Sequence, residues 1–179
     1  MQKQGEVVAH NRGPNVVLTG FMGTGKSTVG RLLAERLGYD FVDTDEMIVE
    51  RHGAISEIFA SQGEDAFRAL EREVAVELSN RQATVVSTGG RLMLDADSAG
   101  CLGESGRVFC LVAEVEEIIR RVHGNPGGPE RPLLAGPDPR GQIVALLEER
   151  ASGYGRFEQI GTDGQKPEVV VEEILTRLG

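Results

Sequence analysis

Gly20-Phe21-Met22-Gly23-Thr24-Gly25-Lys26-Ser27 satisfies G-x-x-x-x-G-K-[ST] at every fixed position, directly behind the apolar run Val16-Val17-Leu18. Glycines at these places leave room for backbone N–H groups to curl around a phosphate, and the helix that follows adds its positive N-terminal end. The pattern puts Gly23, Thr24, Gly25, Lys26, Ser27 and Thr28 around a nucleotide's phosphates, with the Lys26 ammonium on the outer ones and the Ser27 hydroxyl on Mg²⁺. Polyphosphate binding is therefore the chemistry expected first.

Other chemistry-bearing residues lie further along. Asp43-Thr44-Asp45 follows the strand-like Tyr39-Asp40-Phe41-Val42, so its carboxylates fall at the C-terminal end of a strand, the edge where open parallel sheets bind ligands. Either aspartate also suits the cap of the next helix. Arg68 stands four residues after Glu64 and three before Glu71, the spacing of a helical ion-pair ladder. Gly89-Gly90 follows Ser87 where the backbone can approach a ligand closely. GTP signalling is excluded, because no Asn-Lys-x-Asp base-reading motif is present. The Val85-Val86 strand ends in Ser87 where an ATPase would carry Asp, so a metal–water network must use that hydroxyl or borrow Asp43.

These groups need a scaffold, and periodicity supplies one. Val29, Leu32, Leu33 and Leu37 recur at helical spacing before Gly38. Tyr39 to Val42 reads as a short buried strand. From Met47 to Asn80 the pattern is helical, broken at Gly53 and Gly63, with apolar faces that include Ile48, Val49, Ile58, Phe59, Phe67 and Val74; Ser61 to Glu64 reads as a capping box for the longest piece. Ala83 to Ser87 is a β-branched central strand, and Arg107 to Val112 is another, followed by a helix over Val115 to Val122. Gly124 to Pro132 is too rich in Pro and Gly for regular structure. Gln142 to Tyr154 is helical, Phe157 to Ile160 a last strand and Glu168 to Leu178 a terminal helix. Strands alternating with helices predict a parallel α/β sheet covered on both faces.

The chain has 179 residues, with 19 Lys+Arg against 28 Asp+Glu and a net charge of −9. That length carries a core without staples, and that charge repels nucleic acid and anionic membranes. Cys101 and Cys110 lack metal-site spacing and read as small buried or half-buried residues. Residues 1–14 read as a flexible tail without a signal-like apolar run, ahead of one domain over 15–179. The expectation is a cytoplasmic monomer.

Taken together, Gly20 to Gly30, Asp43-Thr44-Asp45, Ile58-Phe59 with Gly63-Glu64 and Phe67-Arg68 before Glu71, Gly89-Gly90, Arg131-Pro132-Leu133-Leu134, and Arg150 with Tyr154 resemble the shikimate kinases in order and approximate spacing. The resemblance covers about residues 15 to 178. It implies a three-layer P-loop kinase fold with a central five-stranded parallel sheet, acceptor-binding helices over about 44–80 and a mobile lid over about 124–136. It also implies ATP as co-substrate, Mg²⁺ at Ser27 and Asp43, and shikimate as the acceptor. In the family's pattern Arg68 and Arg150 match the residues that hold the acceptor carboxylate. Asp45 matches the one that binds its hydroxyls and takes the proton. Gly89 and Gly90 match the backbone beside the acceptor. Lys26, Asp45 and Arg131 match the catalytic groups, with Arg131 on the lid, and Arg121, Lys166 and Pro167 match residues around adenine.

The chain departs from that family at Arg91, which stands where shikimate kinases carry a third glycine, in a longer Pro/Gly lid, and at Ala151-Ser152-Gly153 between Arg150 and Tyr154. These changes cluster around the acceptor, so a kinase of another small hydroxy acid or polyol, and a non-catalytic nucleotide- and carboxylate-binding sensor, are the readings set beside it.

Overall fold

Val16, Val17 and Leu18 sit at the centre of the molecule because apolar strands flank them on both sides. The structure, a computed structural model, describes residues 13–124 and 137–179. In chain order its strands are β1 (Asn15–Gly20), β2 (Asp40–Asp43), β3 (Thr84–Ser87), β4 (Gly106–Val112) and β5 (Glu158–Gly161). They form one sheet in the order β2-β3-β1-β4-β5, every pair parallel. The chain runs from β1 outward to one edge and returns through β4 to the other. The crevice at the carboxyl ends of β1 and its neighbours is thus the topological switch point, where such sheets bind ligands.

Side chains alternate across the sheet, and each face meets different helices. Val16, Leu18, Val85, Phe109 and Leu111 point to one face. There they pack on α1 (Lys26–Leu37) and α8 (Pro167–Leu178). Val17 and Val86 point to the other face. They meet α2 (Thr44–His52), α3 (Ile55–Gln62), α4 (Glu64–Ser79) and α5 (Ala96–Ser105). Phe21 and Cys110 continue that face onto α6 (Val115–His123) and α7 (Pro139–Tyr154). Among the described residues, no helix is long and apolar enough to cross a membrane.

Several expectations change. β2 is a half-buried edge strand, not a buried one, because β3 inserts between it and β1. The Ser61–Glu64 capping box does not form: Ser61 remains inside α3, where its Oγ donates to Glu57 O at 2.6 Å, and Gly63 starts α4 with no side-chain cap. Val49 and Phe59 face solvent more than the apolar pattern suggests, at 43% and 37% exposure. α5 was not expected. Its sequence carries Gly100 and Gly103, and it is started by Asp95, whose carboxylate accepts from Ser98 N at 2.9 Å. α7 begins earlier than Gln142, at Pro139, behind an Asp138 cap. The tail expected over 1–14 lies largely outside the described residues, and so does the lid expected over 124–136 with its Arg131.

Asn15 joins these layers. Its side chain is fully buried; Nδ2 donates to Leu78 O at 3.2 Å and Arg81 O at 2.9 Å, while Oδ1 accepts from Thr84 N at 3.1 Å. One amide thus closes the end of α4 and fixes the start of β3 against β1. Replacing it with Ala strands buried polar groups, so Asn15→Ala is expected to lose about 2–4 kcal/mol. Thermal unfolding should read this as a Tm drop of roughly 5–12 °C; an unchanged Tm would remove the amide from that role.

Candidate active site

The loop between β1 and α1 is a pre-shaped anion cradle. Gly25 sits at φ 97°, a left-handed conformation costly for any residue with a Cβ, and caps the N-terminus of α1. Thr24 is buried and its hydroxyl donates to Phe21 O at 2.8 Å, which pins the loop from below. Lys26 Nζ donates to Gly20 O and Phe21 O, both at 2.9 Å, so the ammonium is folded over the loop. Thr28 is exposed on the first turn of α1.

Ser27 reaches across the sheet. Its hydroxyl donates to Asp43 Oδ2 at 2.7 Å and lies 3.3 Å from Ser87 Oγ. Asp43 does two jobs, because its other oxygen caps α2 by accepting from Asp45 N at 3.0 Å and Glu46 N at 3.4 Å. A hydroxyl and one carboxylate are a sparse, all-oxygen donor set. Such a set fits Mg²⁺, which is held by one or two carboxylates together with substrate phosphates and water.

The residues expected around the acceptor gather at the backbone leaving β3. A Cβ placed on Gly89 would stand 2.5 Å from Asp45 Oδ1 and 3.1 Å from Glu71 Oε1. A Cβ on Gly90 would stand 3.6 Å from Arg150 Nη1 and 3.8 Å from Tyr154 Oη. Gly89-Gly90 therefore forms the wall that brings Asp45, Glu71 and Arg150 to one place. The wall is held from both sides: Gly89 N donates to Thr44 Oγ1 at 2.8 Å, and Tyr154 Oη donates to Gly90 O at 2.5 Å. Arg150 is only 6% exposed, its Nε has no hydrogen-bond partner among the described residues, and its guanidinium lies 5.5 Å from the Phe21 ring centroid. A guanidinium offers a planar fork of donors, the geometry that suits a carboxylate.

Arg68 belongs to the same wall and to an ion-pair ladder. Its Nε and Nη2 donate to Glu64 Oε1 at 3.2 and 2.9 Å, and Nη1 donates to Glu71. These hydrogen bonds hold Glu64 below the usual carboxylate range. Glu71 is 3% exposed, and burial raises its pKa although Arg68 opposes the rise. The expected site residues did not include Glu71; its burial follows from its place on the inward face of α4, one step along from Phe67. Tyr154 and Thr44 stand among the motif residues without an expected site role, and here both position the wall. A cavity of about 440 Å³, lined by Glu64, Arg68, Glu71, Arg72, Arg91 and Asp95 among others, flanks this pair.

Asp45 is pushed up to about 6, first by burial and then by the neighbouring Asp43 and Glu71 carboxylates; Lys26 and Arg68 pull the other way. A carboxylate at this value is ionised at neutral pH yet basic enough to accept a proton.

Arg121 stitches the nucleotide side together. It donates to Gly23 O at 3.3 Å, to Thr162 Oγ1 at 2.9 Å and to Thr162 O, linking the phosphate loop to the connection between β5 and α8. Lys166 and Pro167 stand at the far end of that connection and open α8. Arg131 lies outside the described residues and is not placed relative to the rest.

A family model described as shikimate kinase matches residues 22–179. The chain is similar to a shikimate kinase of Geobacter metallireducens, 46% identical over 162 residues that cover 89% of each chain. It is similar also to one of Synechococcus sp. (strain RCC307), 44% identical over 169 residues, 93% of this chain and 85% of that one. Among solved structures, a shikimate kinase from Acinetobacter baumannii in complex with shikimate has a TM-score of 0.85 at 36% identity, covering 93% of both chains.

The raised pKa of Asp45 carries a stability cost with a definite sign. The fold binds this proton more tightly than the unfolded chain, so the associated stability is complete below 3.8 and is lost as pH rises to about 6. Asp45→Asn removes the charge. It is expected to be more stable than wild type by on the order of 1–2 kcal/mol above that window, after discounting for partial exposure. Thermal melts across the window check this; a variant less stable at every pH contradicts it.

Proposed function

The chain belongs to the shikimate kinase family, and from that premise we propose how its own residues carry the reaction. It is a kinase that phosphorylates shikimate to shikimate 3-phosphate at the expense of ATP, a step of aromatic amino-acid biosynthesis. The observation that carries the residue assignment is Arg150: a buried guanidinium set against the Gly90 wall, its Nε without a partner among the described residues. Shikimate brings one carboxylate and several hydroxyls, and Arg150 with Arg68 meets the carboxylate while Asp45 meets the hydroxyls.

The donor half holds ATP through the backbone of Gly23, Thr24 and Gly25, through Lys26 and through the first turn of α1 at Ser27 and Thr28. Arg121, Lys166 and Pro167 border the adenine. Mg²⁺ would be held by Ser27 and Asp43 and, when bound, neutralises phosphate charge. The acceptor hydroxyl oxygen attacks the γ-phosphorus, its proton passes to Asp45, and the bond to the bridging oxygen breaks with ADP leaving. Lys26 offsets the charge that spreads over the phosphoryl oxygens. Arg131 is assigned the same task from its place in the sequence pattern alone. Gly89 and Gly90 hold the acceptor close without a side chain in the way.

Action as a monomer completes this reading, and ATP as co-substrate supports a cytoplasmic setting. Monomer mass in size-exclusion chromatography with light scattering checks the former.

Purified protein is expected to turn over shikimate in an ADP-coupled assay; a folded protein that binds ATP but transfers nothing to shikimate overturns the function. Arg150→Lys keeps the charge but loses the fork, and is expected to raise the KM for shikimate about 10- to 100-fold with little change in the KM for ATP. The acid limb of kcat/KM for shikimate is expected near pH 6, where Asp45 loses its negative charge on acidification. A limb at an ordinary aspartate value would move the base elsewhere.

A further inference from the structure

Glu64 occupies one edge of Arg68. Two of the guanidinium's N–H groups, Nε and Nη2, point to the single oxygen Oε1 of Glu64, at 3.2 and 2.9 Å. A carboxylate docks on that edge side-on, so Glu64 is an internal competitor for the substrate's own carboxylate. Glu71 does not compete in this way, because it holds the opposite nitrogen, Nη1, and is buried.

Arg91 stands on the other side of Glu64. Its Nη1 lies 3.5 Å from the same Oε1 oxygen. The backbone at Arg91 is ordinary, with φ −113° and ψ −12°, so a side chain costs nothing at this place. The Arg91 and Glu64 side chains are 44% and 51% exposed, which leaves both free to change rotamer. Its direction is also informative: Arg91 lines the flanking cavity together with Glu64 and Arg68.

We propose that Arg91 is a positioning residue for the acceptor: when the substrate carboxylate arrives, Arg91 takes over Glu64 and so frees Arg68 to bind it. This rests on the assignment of Arg68 to the acceptor carboxylate. Arg91 acts through Glu64 and does not touch the substrate. Its effect is confined to acceptor affinity, since no donor-side group takes part in the exchange.

The test is a double-mutant cycle read in KM for shikimate, with KM for ATP and kcat followed alongside. Arg91→Ala is expected to raise the shikimate KM about 2- to 5-fold, the range one exposed ion pair carries, with kcat and the ATP KM unchanged. Arg91→Lys is expected to keep most of the wild-type value. Glu64→Gln alone is expected to lower the shikimate KM, and in that background Arg91→Ala is expected to have no effect. An equal rise in both backgrounds means that Arg91 acts on the substrate directly, and no rise in the wild-type background means that it does not act; either overturns the proposal. Loss of shikimate binding by Arg68→Ala with wild-type turnover intact supports the underlying assignment. A wild-type protein without shikimate turnover overturns that assignment, and the inference with it.

Discussion

A side chain at Gly89 would have to displace the Asp45 carboxylate, because its Cβ would stand 2.5 Å from Oδ1. That constraint organises the side assigned to the acceptor, because it lets a carboxylate lie against the exit of β3 beside a wall of backbone. Thr44 and Tyr154 then fix the wall from two directions, one from the start of α2 and one from the end of α7. Elements distant in sequence converge there because the sheet order sets β3 between β2 and β1. The phosphate loop leaves β1 beside it, so the groups assigned to donor and acceptor share one crevice.

Charge is handled locally in a chain that is acidic as a whole. A net charge of −9 gives anionic substrates no general attraction. Cations are instead concentrated at Lys26, Arg68 and Arg150, and two of these lie against buried or partly buried carboxylates. The arrangement trades stability for chemistry. Burial first, and then the Asp43 and Glu71 carboxylates, make Asp45 a stronger base than a solvated aspartate, at the expense of crowding like charges in a partly dry pocket.

The donor side was legible in the sequence because its chemistry is local: Gly20 to Ser27 form a contiguous loop whose spacing dictates its shape. The helices over 44–79 and the strand pattern were readable for the same reason, since periodicity reports which face is buried. The acceptor wall was harder. Glu71 looks like one rung of a surface ladder until the fold buries it, and Tyr154 gains its role only when α7 packs over Gly90. Ser61 misled because a capping pattern is defined by letters, whereas the helix boundary at Gly63 is set by how α3 and α4 pack. α5 carried too weak a periodicity to announce itself. Its start depends on the Asp95 cap and its burial on contacts with α4.

The Lys26 ammonium, turned onto Gly20 O and Phe21 O, ties the first residue of α1 back to the last residue of β1. The loop is thereby closed on itself by a side chain as well as by its backbone, so any change that shortens Lys26 alters the shape of the loop together with its charge.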